Sequence, residues 1–322
     1  MRKTLFHRIF TKTPVLSILP IAPIKNWPLD KQLTFLFPAL IILISLITGS
    51  WQYVNFHENK AIIICMTLFL ALILCAQPLL KSSRLSARQS WFLYQFWPVP
   101  AVLSGYLLMR VLRLELAIEV FAIPQQDALM IYLDTFAFGQ TLPLHIQHWI
   151  SPTLTLLMES AYLHFYYLLP LGSLFYFYYR QQDAHFLAMR QAIIFTLVGG
   201  FCCYFLMPVK GPGDFIPQQF TVALQAEHEM VYAVVNSFRF AYDCFPSLHT
   251  AIPWVTLLVS WSWHSIPVRL IMLSMTLTIS LSTLYLRYHY GIDVLAGFLW
   301  ACFIAYVIKN HSSYLSNKTI WA

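Results

Sequence analysis

Residues 33–49, LTFLFPALIILISLITG, decide the fold class, because this stretch contains no Lys, Arg, Asp or Glu. A helix rises ~1.5 Å per residue, so about 20 mostly apolar residues cross the ~30 Å hydrocarbon core of a bilayer. The whole chain is 59% hydrophobic and only 10% charged, whereas a soluble domain carries about 25% charged residues. We therefore expect an all-α, polytopic membrane helix bundle.

Similar stretches recur along the chain and divide it. The sequence predicts about eight spans, at 33–49, 61–80, 91–109, 154–179, 191–209, 248–263, 268–286 and 292–308. We expect a basic tail (1–32), an accessory two-helix hairpin (33–90), a main membrane domain with a six-helix core (91–308) and a second tail (309–322). An even number of spans puts both termini on one side of the membrane.

The basic residues predict which side that is. The side of the termini receives Arg2, Lys3, Arg8, Lys12, Lys25, Lys31, Lys81, Arg84, Arg88, Arg180, Arg190, Arg269, Lys309 and Lys318. The other side receives only Lys60, Arg110, Arg113, Lys210, Arg239 and Arg287. The positive-inside rule therefore predicts cytoplasmic termini. The formal charge of +7 reflects this topology, and contact of the basic tail with anionic lipid explains it better than a nucleic-acid partner.

The strongest polar cluster lies at the outer start of the last span, where His289 and Asp293 are four residues apart. On a helix they would share a face, so the carboxylate could orient the imidazole and leave its other nitrogen as a nucleophile or base. Polar groups at membrane depth are expensive, which makes them functional candidates. The structural alternative is a buried pair that serves packing alone.

Two further outer segments carry candidate residues. His249 follows Pro246-Ser247 at a helix start, where unpaired amides and the helix dipole favour an anion. Lys210 opens a Gly-rich turn that could neutralise a phosphoryl oxygen. Taken singly, each could be an ordinary helix start or an interfacial lysine. Cys244 is the one cysteine predicted in an outer segment, so we expect no disulfide and no CxxC metal site.

These residues together resemble the type 2 phosphatidic-acid phosphatase superfamily of membrane lipid phosphatases and phosphotransferases. The family's second motif, PSGH, corresponds to 246–249, and its third, SRxxxxxHxxxD, to 282–293. The chain departs from the pattern at three points. Lys210 lacks the Arg-Pro partner of the first motif, Leu248 replaces Gly, and Thr283 replaces Arg. The PSLH and Tyr-His-Tyr sequences look more similar to the inositol phosphotransferase branch, typified by fungal inositol phosphorylceramide synthase.

The resemblance implies a function and a role for each residue. His289 would be the nucleophile that forms a phosphohistidine, Asp293 its orienting carboxylate, and His249 the acid that protonates the leaving group. The phosphate would be bound by Lys210, Ser247 and Arg287, the last in place of the missing motif arginine. The substrate would be a phospholipid, polyprenyl lipid or sphingolipid, and catalysis would need no metal or cofactor. The positive-inside rule separately predicts that the site is extracytoplasmic. Water as acceptor gives a phosphatase and a lipid hydroxyl gives a transferase, and no residue decides between them.

Two other classes of function stay open. His289, Asp293 and His249 are chemically capable of binding a metal ion, although the nearby cations would attract a phosphate instead. A non-enzymatic transporter or lipid-binding scaffold would suit intramembrane polar groups such as Glu159 and His164. A transporter would place its charges near the midplane, whereas an esterase would place them at the outer helix ends.

Overall fold

The computed structural model describes residues 28–318 except 61, 65, 68–84, 225–230, 232 and 234, with side chains described as far as 310. The described residues form helices, and their extended segments meet in a single isolated bridge between Val209 and Asp243. The all-α class predicted from the sequence is confirmed. The basic tail 1–27 and most of the second predicted span lie outside the described residues.

The α-helices with described bounds follow one another in chain order. They are α1 (Leu29–Thr48), α2 (Ala87–Phe96), α3 (Pro98–Val111), α4 (Leu114–Val120), α5 (Asp127–Phe138), α6 (Leu142–Ile146), α7 (Pro152–Ser160), α8 (Tyr166–Tyr179), α9 (Asp183–Leu206), α10 (Pro212–Phe215), α11 (Leu248–Ser260), α12 (Ile266–Tyr285) and α13 (Gly291–Lys318). A π-helix at Ala161–Phe165 joins α7 to α8.

Four of the described helices are long and apolar enough to cross a bilayer: α1, α9, α12 and the part of α13 at Gly291–Asn310. They agree with the predicted spans at 33–49, 191–209, 268–286 and 292–308. Helix α9 begins earlier than predicted, at Asp183, and it includes Arg190, which is buried inside the bundle at 1% exposure. These helices support a membrane bundle, and the count of eight spans stays a prediction.

Two predicted spans are interrupted by local backbone features. The stretch 91–109 is divided at Trp97, because Pro98 has no N–H to continue the ladder and instead begins α3. The stretch 154–179 contains the π-helix Ala161–Phe165. Short π-helical segments of this kind are rare and often lie at functional sites, and this one faces the candidate site described below.

Buried charges tie the first helix to the bundle. Arg190 of α9 forms an ion pair with Asp30 of α1, with Nη2 and Oδ2 2.6 Å apart. Its Nη1 also donates to the backbone oxygen of Gln95 at 3.0 Å. Each residue of this pair needs the other, because removing one partner of a buried ion pair lowers the free energy of unfolding by about 3–5 kcal/mol. Helix α1 is thus joined to α9 by more than apolar packing.

The N-terminal ends of α11 and α13 are held close together. The amide of Ser247 donates to the backbone oxygen of Asp293 at 3.1 Å. A Cβ on Gly297 would lie 2.4 Å from the oxygen of Ser247, so only glycine allows this approach. Asp134 of α5 accepts from the amides of Gly291 and Ile292 at 3.0 and 2.8 Å, which caps α13.

Candidate active site

His289 and Asp293 lie together, but they are not directly hydrogen bonded. His289 precedes α13 and Asp293 is in its first turn; Nδ1 and Oδ2 are 3.8 Å apart. Both side chains are buried. Oδ2 accepts from the thiol of Cys244 at 2.7 Å and from the amide of Tyr290 at 2.9 Å. The pair therefore differs from the helical i, i+4 contact that its spacing predicted.

Cys244 stands between the histidine and the carboxylate. Its Sγ is 3.4 Å from Nδ1 of His289, so one sulfur contacts both members of the pair. Burial and the charge of Asp293 raise the pKa of this thiol well above its ordinary value, and it is protonated at neutral pH. The ligand atoms of these three residues lie within 4.8 Å of one another. The metal alternative would therefore use Cys244 here rather than His249.

His249 is held between two aromatic rings. Its ring centroid is 4.0 Å from that of Tyr162, with an interplanar angle of 14°, and 4.2 Å from that of Tyr166. Both tyrosines come from the π-helix and the residue that follows it, whose wide turn brings their rings to the same side. The ring of Tyr162 also stacks on Tyr288 at 4.6 Å. This stack fixes the plane of the His249 imidazole.

Ser247 caps α11 rather than opening towards solvent. Its hydroxyl accepts from the amide of Thr250 at 3.3 Å, and its own amide is bound to Asp293. Pro246 therefore precedes the cap instead of occupying an early helical position. The groups of Ser247 are engaged within the protein, while helix geometry points the first amides of α11 out of the N-terminal end of the helix.

The backbone of Lys210 is held by Asp127, whereas its side chain points away from the two histidines. The carboxylate of Asp127 accepts from the amides of Lys210 and Gly211 at 2.9 and 3.0 Å, and from the hydroxyl of Tyr290 at 2.9 Å. Nζ of Lys210 lies 5.6 Å from the ring centroid of Tyr242. The turn is thus joined to the His289 segment, but the ammonium group does not line the cavity described below.

Arg287 is also directed away from the two histidines. Its guanidinium lies 4.1 Å from the ring centroid of Phe220, and Nη2 donates to the backbone oxygen of Val222. Its φ of 65° is in the left-handed region, which turns the chain sharply before His289. Arg287 does not line the cavity either.

A cavity of about 450 Å³ brings His249 and His289 to a common space. Their ring centroids are 6.2 Å apart. Its wall continues from the histidines between α3, α8, α9 and α11, where it is formed by apolar side chains such as Val99, Leu103, Leu171, Ile193 and Leu197. The cavity is thus polar at the histidine end and apolar over much of its lining.

The sequence interpretation missed a second polar group at this end. Arg239, Asp243 and Tyr106 line the same cavity. Arg239 forms ion pairs with Asp243 at 2.9 Å and with Asp214 at 3.1 Å, and the hydroxyl of Tyr106 donates to Asp243 at 2.7 Å. The i, i+4 spacing of Arg239 and Asp243 was the available signal. Cys244 was also missed, although it lies only two residues before the PSLH motif.

The residues that suggested a transporter do not enter the cavity. His164 lies on the π-helix with an exposed side chain, and Glu159 is buried in α7. Neither is among the residues that form the cavity wall. In the described part of the chain, the charged cavity residues are grouped with the histidines at one end.

The family model of the PAP2 superfamily matches residues 133–307, more than half of the 322-residue chain. The chain belongs to the PAP2 superfamily. The match includes both histidines, the Lys210 turn and the π-helix, and it confirms the superfamily predicted from the motifs at 246–249 and 282–293. No curated protein and no solved structure matches the chain. Membership supports a phosphatase-type, lipid-related function, while the inositol phosphotransferase branch stays a prediction.

Proposed function

We propose that this PAP2 protein is a lipid phosphatase or phosphotransferase that acts through a phosphohistidine on His289. The observation that carries this proposal is the cavity in which His249 and His289 face each other, with ring centroids 6.2 Å apart. A reacting phosphorus needs to be about 3–3.5 Å from the attacking atom. A phosphoryl group fits between two rings at this separation, with one histidine on each side.

In the first half-reaction, His289 attacks phosphorus and His249 assists the leaving group. Nδ1 of His289 faces Cys244 and Asp293, which leaves Nε2 to form the new N–P bond. The P–O bond to the leaving group breaks as the protonated His249 gives its proton to the departing alkoxide. Asp293 stabilises the positive charge that develops on the imidazole of His289.

In the second half-reaction, the acceptor enters from the side that the leaving group vacated. His249, now neutral, takes the proton of an acceptor hydroxyl as its oxygen attacks phosphorus. The N–P bond breaks, which restores His289. Water as acceptor releases a phosphate, and a lipid alcohol as acceptor forms a new phosphate ester.

Lys210, Ser247 and Arg287 are proposed to bind the phosphate during this cycle. In the present structure their groups have other partners, so the ammonium of Lys210 and the guanidinium of Arg287 would first leave Tyr242 and Phe220. The first turn of α11, capped by Ser247, contributes its dipole and amides to the negative charge. Substrate binding would therefore rearrange the outer segments.

The apolar part of the cavity supports a lipid substrate. Leu103 of α3, Leu171 of α8 and Leu197 of α9 line the space beside the histidines. Each CH₂ group moved from water into such a space contributes about 0.8 kcal/mol. A hydrocarbon chain bound there would hold the phosphate ester at the polar end.

A lipid panel tests the activity. Purified protein is incubated with different phospholipids, with and without diacylglycerol or ceramide, and released phosphate and new phospholipid are measured together. The proposal requires one of these products, and EDTA should leave the rate unchanged. Loss of turnover with EDTA and recovery with a stoichiometric metal would favour the metal alternative at Cys244, His289 and Asp293.

The orientation of the active site is a separate proposal, based on the division of basic residues. Gln218 is exposed in the same outer segment as Lys210 and is therefore a suitable labelling position. A Gln218→Cys variant should react with a membrane-impermeant maleimide added from outside the cell. Reaction only after the cytoplasmic side has been opened would contradict an extracytoplasmic site.

A further inference from the structure

Arg239 is the cationic side chain of the cavity. Of the Lys and Arg residues that the structure describes, it alone lines the space shared by His249 and His289. Lys210 and Arg287, the cations selected from the sequence, point to Tyr242 and Phe220 instead. A phosphoryl group placed between the histidines would therefore meet the charge of Arg239 first.

Carboxylates hold this guanidinium in place. Nε and Nη2 contact Oδ1 of Asp243 at 3.0 and 2.9 Å, and Nη2 also donates to the backbone oxygen of Lys210 at 2.9 Å. Burial alone would lower the pKa of Arg239, but Asp243 and Asp214 raise it above the ordinary value. The side chain is thus a fixed positive charge beside the histidines.

One contact of Arg239 is suited to exchange. Asp243 is 16% exposed and is also held by Tyr106, whereas the side chain of Asp214 is 32% exposed and meets Nη1 at 3.1 Å. A phosphate presents the same pattern of oxygen acceptors as a carboxylate, and the planar fork of arginine binds both. A substrate phosphate could replace Asp214 while Asp243 keeps the guanidinium oriented.

We propose that Arg239 binds the phosphoryl oxygens of the substrate, and that Asp243 with Tyr106 is the positioning pair that aims it. This inference rests on the proposed function, because it places the phosphate between His249 and His289. It adds a residue outside the recognised motifs to the site. It also gives a physical reason why the chain lacks the arginines of the first and third motifs, since a different segment supplies the charge.

Binding of inorganic phosphate tests the assignment without requiring turnover. Phosphate should raise the thermal unfolding temperature of the wild-type protein in detergent, and the concentration dependence gives its affinity. Arg239→Gln should weaken this affinity about 10- to 100-fold, because hydrogen bonds to charged groups are lost. Arg239→Lys should lose less, since it keeps the charge but not the fork. The matched control is Arg113→Gln, which removes a partly exposed arginine paired with Glu115 outside the cavity.

Arg239→Gln leaves two carboxylates without their cation, so misfolding must be separated from loss of binding. The double variant Arg239→Gln/Asp243→Asn also neutralises Asp243, the more buried of the two carboxylates that Arg239 pairs with. It should recover the unfolding temperature but not phosphate binding. Phosphate binding that is as strong in Arg239→Gln as in the wild-type protein would overturn the assignment. Binding that depends on Arg239 in a protein without phosphoryl transfer would contradict only the proposed function.

Discussion

The thiol of Cys244 lies 2.7 Å from Oδ2 of Asp293, whereas Nδ1 of His289 is 3.8 Å from the same oxygen. The sulfur is 3.4 Å from that nitrogen. The carboxylate therefore contacts the proposed nucleophile partly through a thiol, which can donate to oxygen and accept from nitrogen. In this arrangement the influence of Asp293 on His289 depends on Cys244.

Substitution of Cys244 tests this bridge. Cys244→Ser keeps a donor and acceptor and should retain activity within about threefold, whereas Cys244→Ala should lower kcat about 5- to 10-fold, the effect of one lost hydrogen bond. The measurement is kcat as a function of pH for the two variants, each checked for its unfolding temperature. A thiol that served packing alone would give Ala and Ser the same pH profile. An Ala variant as active as Ser would contradict the bridge.

The tyrosine stack predicts a specific defect in leaving-group protonation. Tyr162→Phe keeps the ring on His249, and Tyr162→Leu removes it. The Leu variant should lose about 10-fold or more on a lipid ester, because an unfixed imidazole is a poorer acid. On a nitrophenyl ester, which needs no proton, it should lose little. We expect the Phe variant to behave as wild type on both, and equal losses of the Leu variant on both substrates would exclude this role.

The apolar wall predicts selection by chain length. Leu103 lines the cavity between α3 and the histidines. In the wild-type protein, KM should fall about fourfold for each CH₂ added to the substrate until the chain fills the cavity. Leu103→Trp should fill part of the cavity, so this fall in KM should end at a shorter chain. The comparison uses a series of phosphate esters with increasing chain length. Leu270→Trp, on the exposed face of α12, is the control. A length profile unchanged by Leu103→Trp would argue that the chain stays outside the bundle.

Much of the bundle follows from simple patterns in the sequence. Helices α1, α9, α12 and α13 contain long apolar runs, and bilayer thickness alone predicts them. The division at Trp97 depends on how Pro98 is accommodated, and the π-helix at Ala161–Phe165 leaves no clear composition signal. Proline in a span can bend, break or begin a helix, so its outcome depends on the neighbouring helices.

The candidate site was only partly predictable for a related reason. His249, His289 and Asp293 stand in motifs whose spacing is visible in the chain. Arg239 and Cys244 lie in the segment before α11, where the i, i+4 spacing of Arg239 and Asp243 was visible but did not indicate where either side chain points. The same holds for the side chains of Lys210 and Arg287, which aromatic rings attract away from the cavity. Tertiary packing, rather than local sequence, decides where these groups point.

The bond between phosphorus and His289 is the central claim, and it is tested most directly by quenching the protein in alkali during turnover of a substrate labelled in its phosphoryl group. Wild type should retain acid-labile, alkali-stable label, and His289→Ala should retain none. His249→Ala should still trap label from a nitrophenyl ester, although its turnover of a lipid ester should fall about 10²- to 10⁴-fold. Label that persists in His289→Ala would contradict the account.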